Sequence, residues 1–206
     1  MWCLIGYMPK DCHIGHQQKY GIMINDRGIW MSEEETNTHT YDRVLGQALV
    51  DVFRFDVKTI IDIGCGNGEY TRNFINNGFD CVGYDGSPLT PELSKGLCGI
   101  KDFSTPQFLG EFDLVLSLEV GEHIPAQYEQ IFIDNITNHA KKYICISWAV
   151  EGQGGTGHVN CRNNEYILDQ FKKRGWVLIS SWTNVLRRRC TFSWFHNTIM
   201  VFKKDE

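Results

Sequence analysis

An apolar run that ends abruptly in three closely spaced glycines constrains this chain more than any other feature. Ile60, Ile61 and Ile63 flank a single acid, Asp62, and the sequence then reads Gly-Cys-Gly-Asn-Gly over 64–68. A continuous apolar run is typical of a strand that is buried on both faces of a parallel sheet. Glycine lacks a Cβ, so the backbone can turn sharply there and a ligand can approach the main chain. The run therefore predicts a buried strand followed by a ligand-binding loop.

The spacing of the glycines distinguishes this loop from one that binds a dinucleotide. The dinucleotide pattern is G-x-G-x-x-G, whose third glycine serves helix packing beside a pyrophosphate. Here the third glycine, Gly68, comes one residue earlier. Asp62 also suits a ligand with a cationic amino group better than a pyrophosphate, because like charges repel. A nicotinamide-dependent oxidoreductase is therefore disfavoured, and a tight turn without a ligand is the alternative when the glycines are considered alone.

Acidic residues recur at the ends of the apolar segments that follow. Asp85 lies about 20 residues beyond the glycine loop, an offset at which a strand-end carboxylate can bind a ribose diol. Asp102 ends a third apolar segment, and Glu119 follows a fourth. In parallel α/β sheets, ligands lie beyond the carboxyl ends of the strands. We therefore expect these acids to line one site.

Alternating strand and helix signals predict an α/β fold, with a Rossmann-like, seven-stranded, mostly parallel sheet and helices on both faces. We divide the chain into an N-terminal lid or arm, residues 1–37, and one domain, residues 38–206. The predicted strands are 58–63, 80–84, 98–102, 112–118, 142–148, 176–182 and 191–202. The predicted helices are 38–53, 68–76, 125–140 and 163–174.

From about residue 40 onward, the chain resembles class I S-adenosylmethionine (SAM)-dependent methyltransferases. Residues 62–68 resemble the first motif of that family, Asp85 its ribose-binding acid, and Asp102-Phe103 the pair that borders the adenine. Ser-Leu-Glu-Val-Gly-Glu-His, residues 117–123, is similar to the Glu-x-x-Glu-His segment of ubiquinone-pathway and small-RNA 2'-O-methyltransferases. The resemblance implies SAM as the cofactor. The residues expected to bind it are Asp62, Gly64, Gly66, Gly68, Asp85, Gly86, Asp102, Phe103 and Glu119.

Methyl transfer to a hydroxyl needs a group that removes the proton or stabilises the alkoxide. His123 could act as the base, because imidazole titrates near neutral pH. Alternatively, a Mg²⁺ or Mn²⁺ ion could lower the pKa of the hydroxyl. Its predicted ligands are Glu119, Glu122, His123 and His158. A helical turn would place the first three on one face. The resemblance points the same way, since the small-RNA branch uses two Glu and two His residues to hold a ribose diol.

We nominate His123, Glu122 and His158 as catalytic residues. The alternative is that Glu122-His123 caps the next helix while Glu119 lines the SAM pocket.

The glycine-rich loop after the fifth predicted strand is the predicted acceptor site. Trp148, Gln153 and Asn160 would offer a sugar an aromatic face and several hydrogen-bond partners, and an ordinary crossover loop is the alternative. Residues of the N-terminal segment expected near the acceptor mouth are Tyr20, Trp30 and His39, with Trp30 also nominated as a substrate contact. These residues predict an O-methyltransferase whose acceptor is a sugar, a glycan or another small polyhydroxylated molecule.

The charge of the chain disfavours nucleic acid as a partner. The net charge is −5 and the isoelectric point about 5.8, whereas phosphate binding needs a basic surface. The run Arg187–Arg189 is a local exception, either a solvated strand or hairpin edge or a docking patch for an anionic acceptor. It is the support for an RNA or protein methyltransferase. A non-catalytic SAM-binding module is the other alternative, against which the intact loop and the strand-end acids argue.

Cysteine content and hydropathy indicate the compartment. The eight cysteines include no C-x-x-C pair, so a zinc site is not expected. The sequence shows no signal peptide and no apolar run near the roughly 20 residues that span a bilayer. We therefore expect a cytoplasmic, reducing environment and a small-molecule partner. The sequence does not indicate an oligomeric state.

Overall fold

A sheet of seven strands organises the computed structural model, which describes residues 23–32 and 39–205. The strand order is β3-β2-β1-β4-β5-β7-β6. The first five of these pair in parallel, and β7 is antiparallel to both of its neighbours. The predicted α/β class and seven-stranded, mostly parallel sheet are confirmed. Tyr20 lies outside the described residues.

The element bounds follow the chain as a strand–helix alternation. The strands are β1 Thr59–Ile63, β2 Asp80–Asp85, β3 Gly99–Ile100, β4 Phe112–Leu118, β5 Ala140–Ser147, β6 Trp176–Leu178 and β7 Met200–Lys204. The α-helices are α1 Arg43–Phe53, α2 Glu69–Asn76, α3 Thr90–Leu93, α4 Glu129–His139, α5 Asn164–Lys172, α6 Ser180–Arg188 and α7 Phe195–Thr198. Two 3-10 turns, Gly121–His123 and Ala126–Tyr128, lie between β4 and α4.

Apolar side chains bury the sheet on both of its faces. Leu45 and Leu49 of α1 and Phe74 of α2 pack against one face, together with residues of α6 and α7. Phe132 of α4 and Phe171 of α5 pack against the other face. Each of these side chains is fully buried, so burial of apolar area stabilises both layers. The helices therefore cover both faces, as predicted, and leave the carboxyl ends of the strands to form a site.

The last third of the domain differs from the prediction. The predicted strand 176–182 ends at Leu178, and residues 180–188 form helix α6 instead. The predicted strand 191–202 contains helix α7, and β7 begins only at Met200. Thr183 and Leu186, three residues apart, are the buried residues of α6, and Thr183 Oγ1 accepts a hydrogen bond from the Val201 amide at 3.0 Å. Contact with β7 therefore favours a helix where the apolar residues allowed a strand.

The arginine run belongs to this helix, so its interpretation as a strand or hairpin edge was wrong. Arg187 and Arg188 occupy the last turn of α6, where cations interact favourably with the helix dipole. Arg187 Nε donates to the Ile199 carbonyl at 2.8 Å, and Arg189 forms an ion pair with Asp51 at 2.7 Å. These contacts fix the end of α6 against its neighbours.

Gly121 sits where any larger residue would strike a buried indole. A Cβ at this position would lie 2.2 Å from the ring of Trp148, which is fully buried. We expect Gly121→Ala to destabilise the fold by about 1–3 kcal/mol through overpacking, measured as a lower Tm in thermal unfolding. Gly154→Ala is the matched control, because a Cβ there meets nothing within 4 Å. Equal Tm values for the two variants would contradict this packing.

Candidate active site

A cavity of about 890 Å³ opens at the carboxyl ends of the parallel strands. It lies where β1 is flanked by β2 and β4, the topological switch point at which ligands bind in open α/β sheets. Its size is within the usual range for small-molecule and cofactor sites. The lining comes from the glycine loop, the ends of β2 and β4, the loop after β5, the α7 region and the hairpin 23–32.

The glycine loop and Asp85 form one hydrogen-bonded unit at this cavity. Asp85 Oδ2 accepts from the Gly66 amide at 2.9 Å, and Oδ1 accepts from the Ser87 amide at 2.9 Å. The amides of Gly64 and Cys65 donate to the Tyr84 carbonyl at 2.8 and 3.1 Å. Asp85 is thus held facing the cavity, and each carboxylate oxygen retains a lone pair for a ligand.

The three glycines of the motif have different roles. Gly64 and Gly66 line the cavity, whereas Gly68 does not. Gly68 precedes α2 at φ +77°, and a Cβ on it would lie 2.7 Å from Cys98 Sγ. Gly68 is therefore required by the chain's own packing, so its predicted cofactor contact is corrected to a structural role. Gly86 lines the cavity beside Ile29, and its contact with the cofactor stays a prediction.

Asp62 also lies behind the loop and does not line the cavity. Its side chain is buried and Oδ2 accepts a hydrogen bond from Thr71 Oγ1 of α2 at 2.7 Å. The prediction that Asp62 directly faces a cationic ligand is therefore corrected, because this contact turns the carboxyl towards α2. Burial raises the pKa of Asp62 to about 7.

The raised pKa of Asp62 has a consequence for stability. The folded protein retains this proton up to about pH 7, whereas the unfolded chain loses it near pH 4, so stability falls as pH rises through this window. We expect the free energy of unfolding of Asp62→Asn to depend less on pH than that of the unaltered chain. Relative to the unaltered chain, the variant should be about 2–4 kcal/mol more stable at pH 8 than at pH 4. Urea unfolding at several pH values measures this, with Asp80→Asn as the exposed control. A parallel pH dependence in both variants would contradict the assignment.

The predicted adenine-side residues line the cavity beside an ion pair that the sequence analysis missed. Asp102 Oδ1 accepts from the amide and hydroxyl of Ser104 at 2.8 and 2.6 Å, and Oδ2 pairs with Arg27 Nη1 at 3.0 Å. Phe103 is buried beneath it and lines the cavity wall. Arg27 therefore joins the N-terminal hairpin to the third strand-end acid.

That hairpin, residues 23–32, closes one side of the cavity. Ile24 and Trp30 form its β-bridge, and Asn25 Oδ1 accepts from the amides of Arg27 and Ile29 at 2.9 and 3.0 Å. Trp30 contacts the rings of His39 and His123, with centroids 5.9 and 5.5 Å apart. Trp30 and His39 thus both line the cavity, and their position at an acceptor mouth stays a prediction.

A cluster of carboxyl and imidazole groups follows β4. Glu119 is a non-glycine residue with φ +54°, and its side chain bonds Gln153 Nε2 at 3.0 Å. Glu122 is fully buried, and its two carboxyl oxygens have no hydrogen-bond partner within residues 23–32 and 39–205. His158 Nε2 lies 3.9 Å from Glu122 Oε1, and the His123 and His158 rings are 5.0 Å apart.

Burial dominates the electrostatics of this cluster. It raises the pKa of Glu119, and it raises the pKa of Glu122 well above its usual value, with the neighbouring Glu119 charge adding to the effect. It also lowers the pKa of His123 to about 4, with His158 as the next cause. His123 Nδ1 lies 3.2 Å from the Gly157 carbonyl, which can only accept, so Nδ1 carries the proton. Nε2 of the neutral ring is therefore an acceptor.

The geometry gives a cluster of three potential metal ligands, where the sequence predicted four. Ligand atoms of Glu122, His123 and His158 lie within 4.8 Å of one another, and Glu119 is not part of this group. The predicted helical face does not form, because the segment makes a 3-10 turn over Gly121–His123 and Glu119 precedes it in a left-handed conformation. Glu119 instead lines the cavity beside Gln153.

Two of the predicted substrate contacts belong to the core. Trp148 is fully buried and its Nε1 donates to the Asn160 carbonyl at 2.7 Å. Asn160 is also buried and its Nδ2 donates to Glu129 at 3.0 Å. Their predicted roles in stacking on and binding a sugar are therefore corrected, because neither side chain lines the cavity. They hold the ends of the loop after β5 in place.

Aromatic residues that were not nominated from the sequence also line the cavity, namely Tyr41, Tyr70, Phe132, Trp194 and Phe195. Trp194 belongs to a stacked cluster with Phe192, at a centroid distance of 4.7 Å. The dense aromatic spacing from Phe192 to Phe195 was the signal available in the sequence, and its assignment to a strand concealed it.

A glycine loop and strand-end carboxylates at a switch point define an α/β protein that binds a nucleoside-type cofactor. A family model described as a methyltransferase domain matches residues 37–196. The chain therefore belongs to the SAM-dependent methyltransferase family. The fold agrees with that of magnesium protoporphyrin IX methyltransferase from Synechocystis PCC 6803 with bound SAM. That comparison has a TM-score of 0.59 and 15% identity, over 84% of this chain and 79% of that one.

Plant O-methyltransferases are similar in sequence over part of their length. The chain is 32% identical over 107 residues to a probable chloroplastic tocopherol O-methyltransferase of Oryza sativa subsp. japonica, covering 44% of this chain and 29% of the relative. It is 24% identical over 151 residues to the chloroplastic tocopherol O-methyltransferase of Arabidopsis thaliana, covering 64% and 43%. The matched region thus spans less than half the length of these relatives. Within the described residues, the helices are too short or too polar to cross a membrane.

Proposed function

We propose that this methyltransferase transfers the methyl group of SAM to a hydroxyl of a small acceptor. The observation that carries the proposal is the carboxyl–imidazole cluster of Glu122, His123 and His158, which adjoins the cavity that the glycine loop lines. The names of the plant relatives, both O-methyltransferases, support an oxygen acceptor. The Glu-x-x-Glu-His branch remains our assignment on the residues of this segment.

The glycine loop and strand-end acids provide a complete set of contacts for SAM. In this placement Asp85 binds the ribose diol, Asp102 and Phe103 border the adenine, and Gly64 and Gly66 bring the backbone close to the methionine part. Glu119, beyond β4, also lines the cavity, and we assign it to the SAM pocket. Bound SAM supplies the methyl group on a sulfonium, and the protein's contribution is to hold the acceptor oxygen in line with it.

His123 is the proposed acceptor of the hydroxyl proton. Its Nδ1–H is held by the Gly157 carbonyl, which leaves Nε2 free to accept a hydrogen bond. Because the pKa is near 4, the ring is neutral at pH 7 but a weak base, so it takes the proton only as the forming O–C bond makes the hydroxyl acidic. Trp30 packs edge-on against the ring and fixes its plane. This arrangement orients the hydroxyl and receives its proton as the new O–C bond forms.

A divalent cation is the second candidate means of activating the hydroxyl. The residues could hold such an ion, because the buried oxygens of Glu122 lack hydrogen-bond partners among the described residues and two imidazoles adjoin them. Such orphaned polar atoms are costly unless a ligand or proton satisfies them. Glu122, His123 and His158 would hold Mg²⁺ or Mn²⁺, and the ion would lower the pKa of the acceptor hydroxyl.

The lining of the acceptor side favours a flat, largely apolar molecule that bears the hydroxyl. Trp30, Tyr41, Trp194 and Phe195 offer aromatic surfaces there, and the tocopherol methyltransferases are named for a phenol. The predicted sugar or glycan acceptor has less support, since Trp148 and Asn160 are buried. A small polyhydroxylated acceptor is kept as the second candidate because Gln153, bonded to Glu119, lines the cavity.

An RNA or protein acceptor has little support from the arginine run. Arg187 and Arg188 line a separate surface groove with Asn184 and His196, and none of these four residues lines the cavity. The prediction that nucleic acid is not a partner is therefore retained as part of the proposal.

Methyl transfer from labelled SAM to a panel of phenols, sugars and RNA tests the proposal. We expect labelling of a phenol or other aromatic alcohol, recovered as an alkali-stable ether. Parallel assays with EDTA, Mg²⁺ and Mn²⁺ decide between the two activation schemes, because EDTA abolishes labelling only if the cation acts. Labelling of RNA alone, or of a nitrogen acceptor alone, would contradict the proposal.

A further inference from the structure

Two buried cysteines meet at the base of the glycine loop. Cys65 lies within the loop and lines the cavity, and Cys98 immediately precedes β3. Both are free thiols, with 9% and 5% of their surface exposed. They come from segments that are 33 positions apart in sequence, brought together by the pairing of β1, β2 and β3.

The two thiols occupy space that is free only because two neighbouring residues are glycines. A Cβ on Gly83 would lie 2.7 Å from Cys98 Sγ and 3.1 Å from Cys65 Sγ, so both sulfur atoms approach the same point above β2. A Cβ on Gly68 would also lie 2.7 Å from Cys98 Sγ. The sulfurs therefore share a small space against the backbone of β2.

The two thiols also affect each other's ionisation, since contact with Cys98, followed by burial, raises the pKa of Cys65. This interaction agrees with the close approach of the two sulfur atoms to Gly83.

We propose that Cys65 and Cys98 are an oxidation-sensitive pair whose disulfide distorts the glycine loop and weakens SAM binding. The proposal depends on the placement of SAM given above. In a disulfide the sulfurs are bonded at about 2.05 Å with a restricted dihedral angle, so closure must draw the two segments together and constrain the backbone at Cys65. Gly64 and Gly66 flank Cys65, and the Gly66 amide holds Asp85 in position. Movement of Cys65 therefore disturbs the backbone and the carboxylate that face the cofactor.

Hydrogen peroxide is a sufficient oxidant, and the cavity gives it a route to Cys65. One thiol is oxidised to a sulfenic acid as the peroxide O–O bond breaks and water leaves. The second thiol then attacks that sulfur, the S–S bond forms, and the hydroxyl departs with a proton as a second water. Two thiols and one peroxide thus give one disulfide and two waters. Dithiothreitol reverses the reaction by exchange.

Mass spectrometry and calorimetry on the full chain test the proposal. Trypsin releases Cys65 in the peptide 59–72 and Cys98 in the peptide 96–101, each with a single cysteine. We expect peroxide to link these two peptides, bound SAM to slow the linkage, and the oxidised protein to bind SAM at least tenfold more weakly. Dithiothreitol should restore the affinity.

Variants separate this pair from the other thiols. Cys98→Ala should bind SAM as the reduced protein does and lose its response to peroxide. Cys161→Ala, which removes the most accessible of the described cysteines, should respond as the unaltered chain does. Absence of the linked peptide, or a linked protein with unchanged SAM affinity, would overturn the inference. Failure of the reduced protein to bind SAM would instead contradict the cofactor placement, because the linked peptides are detected independently of SAM.

Discussion

Replacement of Asp85 by alanine is expected to weaken SAM binding by about 10²- to 10⁴-fold. The variant removes two charge-assisted hydrogen bonds to the ribose in the proposed complex, each worth roughly 1.5–3 kcal/mol when the partner is charged and fully desolvated. It also removes the acceptor of the Gly66 and Ser87 amides, both at 2.9 Å, so the loop loses its support. Isothermal titration calorimetry with SAM measures the effect directly.

Asp80→Ala provides the matched control for this prediction. Asp80 begins the same strand and is exposed at its opposite end, away from the cavity. The Asp80→Ala variant also removes one negative charge from β2, so a purely long-range electrostatic effect would appear in both variants. Equal SAM affinities for Asp85→Ala and the unaltered chain would rule out the ribose-binding assignment. Thermal unfolding of each variant shows whether the fold is intact.

His123→Ala is expected to lower kcat by about 10²- to 10⁴-fold, the usual contribution of a general base. The affinity for SAM should change by less than about twofold, because His123 is proposed to contact the acceptor and not the cofactor. Steady-state kinetics with an acceptor that the labelling panel identifies, together with calorimetry, separate the two quantities. His196→Ala is the control, since His196 is exposed and lines the separate surface groove.

A comparison of kcat between His158→Ala and His123→Ala shows how the hydroxyl is activated. If His123 acts alone as a base, the His158 variant should retain most of the activity and EDTA should have no effect. If the cluster holds a cation, both variants should lose activity together and Mn²⁺ should raise the Tm of the unaltered chain only. A His123→Ala variant with full kcat and no response to EDTA would contradict both schemes.

The sequence was sufficient for the features whose physics is local. The apolar run 60–63 and the glycines after it predict a buried strand and a sharp turn, and β1 occupies Thr59–Ile63. Asp85 ends β2 and faces the cavity, because a strand-end carboxylate at that offset has few other places to point. The sheet class followed from the alternation of apolar strands with helices. Each of these depends on neighbours within a few residues or on one simple pairing rule.

The sequence was insufficient where a side chain has two competing environments. Asp62 could face a ligand or Thr71, and the hydrogen bond to α2 decided in favour of Thr71. Trp148 could stack on a substrate or enter the core, and packing on Gly121 and Phe132 buried it. Helix α6 replaced a predicted strand because Thr183 bonds the backbone of β7. In each case the deciding partner is far away in sequence or on another element.

The sequence by itself thus determined the class of fold, the glycine loop and the carboxylate at the end of β2, since these depend on hydrophobic period, backbone freedom and strand direction. The tertiary structure alone decided which groups meet in the cavity. It joined Arg27 to Asp102, set Trp30 against His123, placed Cys65 beside Cys98 and buried the Glu122 carboxyl beside His158 with no hydrogen bond to its oxygens among the described residues. Those contacts arise from the crossing of distant segments, and local sequence carries no physical signal of them.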